Sequence, residues 1–136
     1  MGQPRIFIGF AKEDIRHRDL LVGQAQHSVT PFEFRDMSLN EPFDEKWKTQ
    51  CREKIRNCHG FVALLSKKTW RAEGARWEMM CAAEEGTPSI GIHIHKDDRG
   101  AVPPELKGRV ILWRWETIAN FVKRVHARRP FWERIL

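Results

Sequence analysis

The stretch Phe61-Val62-Ala63-Leu64-Leu65-Ser66 decides the fold of this chain. Its five consecutive apolar residues predict a buried strand that ends at Ser66. A polar loop comes next, and apolar residues then recur at helical spacing over about residues 73–85, until Gly86 and Pro88 stop the helix. A wholly apolar strand joined to a helix in this way is typical of a parallel sheet that is covered on both faces.

The rest of the chain repeats this alternation of strand and helix. Further strands are predicted at residues 5–10, 32–36, 89–94 and 110–113, and helices at about residues 14–26, at 44–58 and around residues 118–125. Because crossover connections are right-handed, this order predicts an α/β fold: a flavodoxin-like, doubly wound, five-stranded parallel sheet with strand order 2-1-3-4-5. We expect one domain over residues 1–136, with a core at about residues 5–126 and a C-terminal tail at 127–136.

The composition is that of an ordinary globular protein, since 41% of the 136 residues are hydrophobic and 31% are charged. No apolar run approaches the ~20 residues that cross a bilayer, and the N-terminus lacks the pattern of a signal peptide. The cysteines Cys51, Cys58 and Cys81 fall at predicted helical positions, mostly on apolar stripes. They are typical of reduced core thiols, so we expect a cytoplasmic protein without a membrane partner.

The formal net charge of +6 raises the question of nucleic-acid binding. The basic residues are scattered, however, and acidic residues interrupt them almost everywhere. The one dense basic group, Lys123, Arg124, Arg128 and Arg129, lies near a helix C-terminus, where the helix dipole explains it. This pattern argues against a nucleic-acid partner, whereas a small anionic ligand such as a dinucleotide would benefit from the same positive field.

Glu78 is the strongest candidate for a functional residue. It lies in the middle of the core-facing stripe of its predicted helix, where a carboxylate is costly unless something uses or satisfies it. Its small neighbours Gly74, Ala75 and Ala82 leave room for a ligand. The helix begins at the edge where the strands end, which is where doubly wound sheets bind ligands. The structural alternative is a capped or salt-bridged glutamate.

Several chemistries of related folds lack support in the sequence. Strand three ends in Leu64-Leu65-Ser66, without the phosphoacceptor aspartate of a response-regulator receiver, and neither a P-loop nor a GxGxxG fingerprint occurs. His93 and His95 alternate on one side of a strand end, but no four-ligand zinc spacing accompanies them. A triad of Ser66, His93 and Asp36 has no nucleophile-elbow sequence behind it. We therefore expect no metal and no resident cofactor.

One set of motifs along the chain is more specific: Arg5-Ile6-Phe7-Ile8-Gly9-Phe10, Glu13-Asp14, Phe34-x-Asp36-x-Ser38-Leu39, Glu41-Pro42-Phe43, Trp47, Ser66, Trp77-Glu78 and Gly91-Ile92-His93-Ile94. Together they resemble the bacterial TIR-like family, whose members are similar in fold to Toll/interleukin-1 receptor domains. The resemblance is closest to the TIR subunits of Thoeris anti-phage systems and covers about residues 5–115. Its most specific parts are the segment from Ser66 to Glu78 and the Asp36-x-Ser38 loop.

The resemblance implies an enzyme. Enzymatic members of this family cleave NAD at the nicotinamide–ribose bond, and the Thoeris type releases a cyclised ADP-ribose signal. Glu78 takes the position of the family's catalytic glutamate. The chemistry agrees, because a carboxylate stabilises the oxocarbenium character of a ribose that loses nicotinamide, and the leaving group is already cationic. NAD would then be the substrate rather than a cofactor.

The resemblance also implies five substrate-binding residues, and each has a structural explanation as well. Phe10 could stack on a base or nicotinamide ring, or belong to the core. Asp36 and Ser38 could hold ribose or stabilise their loop through turn hydrogen bonds. Ser66 could bond a ribose hydroxyl or begin its loop, and Trp47 could contact the substrate or pack in the core.

Other functions stay open at the level of sequence. One is a non-catalytic TIR-like interaction module that recruits a partner through the loop after strand two, around Glu41 and Phe43. Another is a nucleotide-related hydrolase or a nucleic-acid binder, which a steep salt dependence of DNA binding would indicate. The enzyme hypothesis implies as partners NAD, a downstream effector that senses the nucleotide product, and a homo-oligomer, because such domains can depend on assembly.

Overall fold

The computed structural model describes residues 2–37 and 43–129. In chain order the strands are β1 (Arg5–Gly9), β2 (Glu33–Arg35), β3 (Gly60–Leu65), β4 (Ser89–His93) and β5 (Arg109–Leu112). The helices are α1 (Ile15–Gln26), α2 (Glu45–Arg56), α3 (Glu73–Glu84) and α4 (Trp115–Ala127), with short 3-10 turns at Lys12–Asp14 and Thr69–Arg71.

All five strands are parallel and form one sheet in the order β2-β1-β3-β4-β5. This confirms the predicted flavodoxin-like topology. The strand β3 lies at the centre, and all six of its residues are buried, as its unbroken apolar sequence predicts. The edge strand β2 has only three residues, fewer than the five predicted, so Asp36 lies beyond its end.

Side chains that alternate along the strands divide the core into two layers. Ile6, Ile8, Val62 and Leu64 face α1 and α4, where they pack with Leu21, Ile118, Phe121 and Val125. Phe7, Phe61, Ala63 and Leu65 face the other way and pack with residues of α2 and α3, among them Trp47, Cys51, Ile55 and Met79. The helices therefore cover both faces of the sheet.

The ends of α2 and α3 follow from their sequences. Asp44 caps α2, because its side chain accepts a hydrogen bond from the Trp47 backbone N–H at 2.8 Å. Gly86 follows α3 with φ of 69°, and the Thr87 N–H donates to the Ala82 carbonyl at 2.9 Å. A left-handed glycine of this kind ends the helix without the steric cost that other residues would incur.

A group of ion pairs joins α2 to α3 on their outer side. Arg52 Nη2 lies 2.6 Å from Glu84 Oε1, and Arg56 Nε lies 3.0 Å from Glu85 Oε1. Beneath them Cys51 and Cys81 are fully buried in the same core cluster. The two helices are thus held together both at the surface and in the core.

The cysteines are all free thiols in the structure. Within residues 2–37 and 43–129, no helix has the length and apolar character that crossing a lipid bilayer requires.

Candidate active site

A cavity of about 370 Å³ lies at the edge where the strands end. Its lining comes from the segment after β1, from Met37 after β2, from the start of α2 and from the loop and first turns of α3: Phe10, Ala11, Lys12, Glu13, Met37, Phe43, Trp47, Lys68, Arg71, Ala72, Gly74, Ala75 and Glu78. Cavities of about 300–1,000 Å³ are usual for small-molecule ligands. The cavity is therefore where the doubly wound topology predicts a ligand.

Glu78 lines this cavity and is 5% exposed. Among the described residues its carboxylate has no hydrogen-bond donor and no cation as a partner. Burial raises the pKa of the Glu78 carboxyl well above its usual value of 4.5, and negative charge on Asp36 and Cys81 raises the pKa further. A carboxylate without a cation or a donor among the described residues is costly at such a position, so the capped or salt-bridged alternative does not apply within the described chain.

Gly9, at the end of β1, lies next to the Glu78 carboxylate and has no side chain that would collide with it. A Cβ atom at Gly9 would lie 3.1 Å from Glu78 Oε1 and 2.9 Å from the ring of Phe61. Only a residue without a side chain fits between them. The sequence signal for this contact is a glycine within a strand of large apolar residues.

Aromatic side chains form the apolar part of the cavity wall. The rings of Phe43 and Trp47 meet edge to face with centroids 5.0 Å apart. Trp47 is buried and belongs to the core between α2 and the sheet, and Phe10 is buried in the core on the opposite face. Both also line the cavity, so their packing role and a ligand-binding role are compatible.

Cationic residues surround the opening of the cavity. Lys12, Lys68 and Arg71 are exposed, and none of them has an acidic partner within the described residues. The helix α3 also begins here, and its N-cap residue, Ala72, offers no side chain to its first-turn N–H groups. A helix N-terminus and nearby cations attract anions, although Glu13 in the same wall partly offsets them.

Asp36 and Ser66 do not belong to the cavity lining. Asp36 pairs with Arg18 through its side chain, and its carbonyl accepts a hydrogen bond from Lys54 Nζ at 3.2 Å. Burial raises the pKa of the Asp36 carboxyl, and Arg18 opposes this shift. Ser66 is 3% exposed and donates its hydroxyl proton to Asp14 Oδ2 at 2.6 Å. Their roles in substrate binding stay predictions, and Ser38 lies outside the described residues.

The alternative chemistries receive no geometric support. The hydroxyl of Ser66 is directed to Asp14 and the carboxylate of Asp36 to Arg18, so neither is available to complete a triad with His93. Across the described ranges, no group of three or more His, Cys, Asp or Glu side chains is placed to hold a metal ion.

The cavity and its glutamate fall within a region that matches a known family. A family model described as "Thoeris protein ThsB, TIR-like domain" matches residues 7–99, which include every residue that lines the cavity. The chain belongs to this family. The TIR-like assignment from sequence is thereby confirmed.

Among solved structures, a 3-dehydroquinate dehydratase-like protein from Bifidobacterium longum is 14% identical, with a TM-score of 0.47, and the match covers 92% of this chain and 95% of that chain. Similarity at this level is no basis for inferring a shared activity. No functionally curated protein matches the chain.

The cations at the rim are the functional candidates that sequence reasoning missed. Lys12 follows β1 by three residues, and Lys68 and Arg71 follow β3 by three and six. Their common position just after strand ends was a usable signal, because those ends meet at one edge of the sheet.

Proposed function

We propose that this TIR-like domain cleaves NAD at the bond between nicotinamide and ribose. The observation that carries the proposal is the Glu78 carboxylate, which lies buried against a cavity without a partner in the described chain. A protein retains such a group against its folding cost when the group acts on a ligand. Membership of the Thoeris ThsB TIR-like family agrees with this choice of reaction.

The charges of the substrate fit the two parts of the site. The nicotinamide ring of NAD is a cation and would lie beside Glu78, with the aromatic rings of Phe10 and Trp47 available for contact. The diphosphate is an anion and would lie toward Lys12, Lys68 and Arg71. This orientation pairs each charge with its opposite, which fixes the direction in which the dinucleotide binds.

In the proposed reaction, the bond between ribose C1′ and the pyridinium nitrogen breaks and its electron pair stays on that nitrogen. Nicotinamide leaves as a neutral molecule, and positive charge develops on the ribose. The ionised carboxylate of Glu78 stabilises that charge. A nucleophile then bonds to C1′. Water yields ADP-ribose, whereas a hydroxyl or N–H group of the ADP-ribose itself yields a cyclic product. In both cases the nucleophile loses its proton to solvent or to Glu78.

Substrate binding would also set the ionisation of Glu78. Burial raises the pKa of this carboxyl well above its usual value of 4.5 in the empty site. A pyridinium cation bound beside it favours the carboxylate and lowers its pKa, because opposite charges stabilise each other in a site that excludes water. Binding of NAD would therefore lower the pKa of Glu78 toward its usual value.

We further propose that the product is a cyclic ADP-ribose derivative and a signal in anti-phage defence, sensed by a separate effector protein. The family match to the Thoeris protein ThsB supports this role. The active form would be cytoplasmic, where NAD is available, and a homo-oligomer would be compatible with it.

The test is release of nicotinamide from NAD by the purified protein, with mass analysis of the second product. Glu78→Gln and Glu78→Ala are expected to lower the rate by at least about 10²-fold, as loss of one stabilising group usually does. Glu73→Gln is the matched control, since Glu73 is an exposed carboxylate on the same helix. Equal inactivity of wild type and the Glu78 variants, over a range of protein concentrations and with extract of phage-infected cells, would favour the non-catalytic interaction module.

A further inference from the structure

We infer that an open hollow beside the Glu78 cavity is a second binding site, which takes the adenine and phosphate end of a dinucleotide. The hollow has a volume of about 630 Å³ and is lined by Glu13, Lys67, Lys68, Trp70, Arg71, Gly100 and Ala101. This inference rests on the proposed function for the identity of the whole substrate, but its ligand chemistry stands on the residues of the hollow itself.

The hollow adjoins the Glu78 cavity directly. Glu13, Lys68 and Arg71 line both spaces, so the two cations form the boundary between them. A ligand that spans both spaces would place its middle on this boundary. In a dinucleotide the middle is the diphosphate, which is the anionic part that lysine and arginine bind best.

Trp70 supplies a flat apolar surface in the hollow. It is 44% exposed, so its indole is accessible to a ligand in the hollow. An indole beside cations is the combination that binds nucleotides, because every base has a π-face that stacks on an aromatic ring.

The indole of Trp70 is held in place before any ligand binds. The guanidinium carbon of Arg76 lies 4.6 Å from the centre of a Trp70 ring, and Arg76 Nη1 donates to the Trp70 carbonyl at 3.2 Å. Glu105 accepts from Arg76 Nε at 3.0 Å and from Nη2 at 2.9 Å, which fixes the guanidinium. A side chain ordered in advance loses less entropy when the base stacks on it.

The charged residues of the two spaces also indicate which end of the dinucleotide binds in each. The Glu78 cavity has a buried acid and suits the cationic pyridinium, whereas the hollow has the cations Lys68 and Arg71 and no buried acid in its lining. Lys67 is already paired with Asp98 at 2.5 Å and contributes less. The adenine end is therefore assigned to the hollow with Trp70, and the nicotinamide end to Glu78.

The first experiment measures the binding of ADP-ribose, which lacks nicotinamide, by isothermal titration calorimetry. Trp70→Ala is expected to weaken binding about 5- to 150-fold, the range seen when one stacked aromatic ring is removed. Trp70→Phe is expected to restore most of the affinity. Leu20→Ala, which truncates another exposed apolar side chain far along the chain, is the control and leaves binding unchanged.

A kinetic comparison separates this site from the catalytic one. Trp70→Ala is expected to raise KM for NAD with little change in kcat, and to leave the cleavage of nicotinamide mononucleotide, which lacks the adenylate, unaffected. Equal ADP-ribose affinity in wild type and Trp70→Ala, or no binding by wild type at millimolar concentration, would overturn the inference. If ADP-ribose binding depends on Trp70 but no nicotinamide is released from NAD, the proposed cleavage is refuted and the binding site in the hollow is supported.

A second measurement covers the case in which Trp70→Ala fails to fold. In the wild-type protein the indole N–H resonance of Trp70, identified by its absence in Trp70→Phe, is expected to shift on addition of ADP-ribose. A resonance that stays in place while ADP-ribose binds would contradict the inference.

Discussion

The carboxylate of Glu78 and the Cα of Gly9 face each other across the space between α3 and β1. A methyl group added to Gly9 would come within 3.1 Å of Glu78 Oε1, so the glycine and the acid form one structural unit. The position of Glu78 thus depends on a residue that has no functional group of its own.

Gly9→Ala is expected to destabilise the fold and to displace the carboxylate. The new Cβ atom would lie 2.9 Å from the ring of Phe61, and such overpacking costs about 1–3 kcal/mol. Urea denaturation measures the loss, and nicotinamide release should fall with it. Gly23→Ala in α1 is the control: nothing lies within 4 Å of its Cβ atom, so a helical alanine should stabilise it by about 0.5–1 kcal/mol. Equal stability of Gly9→Ala and wild type would refute the tight contact.

Glu78→Gln is expected to stabilise the protein, and the gain should grow with pH. The folded pKa of this acid lies above its unfolded value of 4.5, so the folded state binds more protons between the two values and stability falls as pH rises through that window. Each pKa unit of difference corresponds to about 1.4 kcal/mol. The neutral glutamine does not titrate, so the variant does not lose stability as the pH rises. At pH 4 and below, the wild type and the variant should be nearly equally stable. Urea midpoints across pH 4–9 measure this, and Glu73→Gln should show no such trend.

The pH dependence of catalysis is expected to differ between the free enzyme and the complex with NAD. The fall of kcat/KM at acidic pH gives the pKa of Glu78 in the free enzyme, which burial raises. The fall of kcat at acidic pH gives the pKa of Glu78 in the complex with NAD, which the pyridinium lowers. The acidic fall of kcat should therefore occur at lower pH than that of kcat/KM. If kcat and kcat/KM fall at the same pH, Glu78 is not the titrating group. The same conclusion follows if the residual activity of Glu78→Gln still falls at acidic pH.

Ser66→Ala is expected to act mainly on stability. The Ser66 hydroxyl donates to Asp14 at 2.6 Å inside the protein, and a buried acceptor that loses its donor costs about 1–3 kcal/mol. The Lys68 N–H also donates to this oxygen at 3.1 Å, so the segment that carries Lys68 would loosen as well. A double-mutant cycle with Asp14→Asn measures the coupling. A large rise in KM without any loss of stability would show instead that Ser66 binds the substrate directly.

The sequence was sufficient to predict the strand order and most element boundaries. The apolar run of β3, the helix predicted to begin at residue 44 and the stop at Gly86 follow from local signals, and each has its counterpart in the structure. The observed ends of strands differ from the predicted ones where pairing with a neighbouring strand determines them. Trp113 lies just after β5 rather than in it, because the β5 pairing with β4 ends at Leu112.

The candidate site was predictable only in part. Glu78 was found because an acid on an apolar helical stripe is a local anomaly, and its burial agrees with that signal. The bond from Ser66 to Asp14 joins residues 52 positions apart, and Gly9 and Glu78 lie still farther apart in the sequence. Such pairs come together only through the order of the strands, and no spacing pattern marks them.

The ion pairs between α2 and α3 have a consequence for ligand selection. Trp47 belongs to α2 and Glu78 to α3, so the two joined helices carry separate walls of one cavity. A Cβ atom at Gly74 would already lie 3.4 Å from the Trp47 ring. The separation of the two joined helices therefore sets the width between these walls. If NAD binds as proposed, analogues enlarged on the pyridine ring are expected to bind more weakly than NAD.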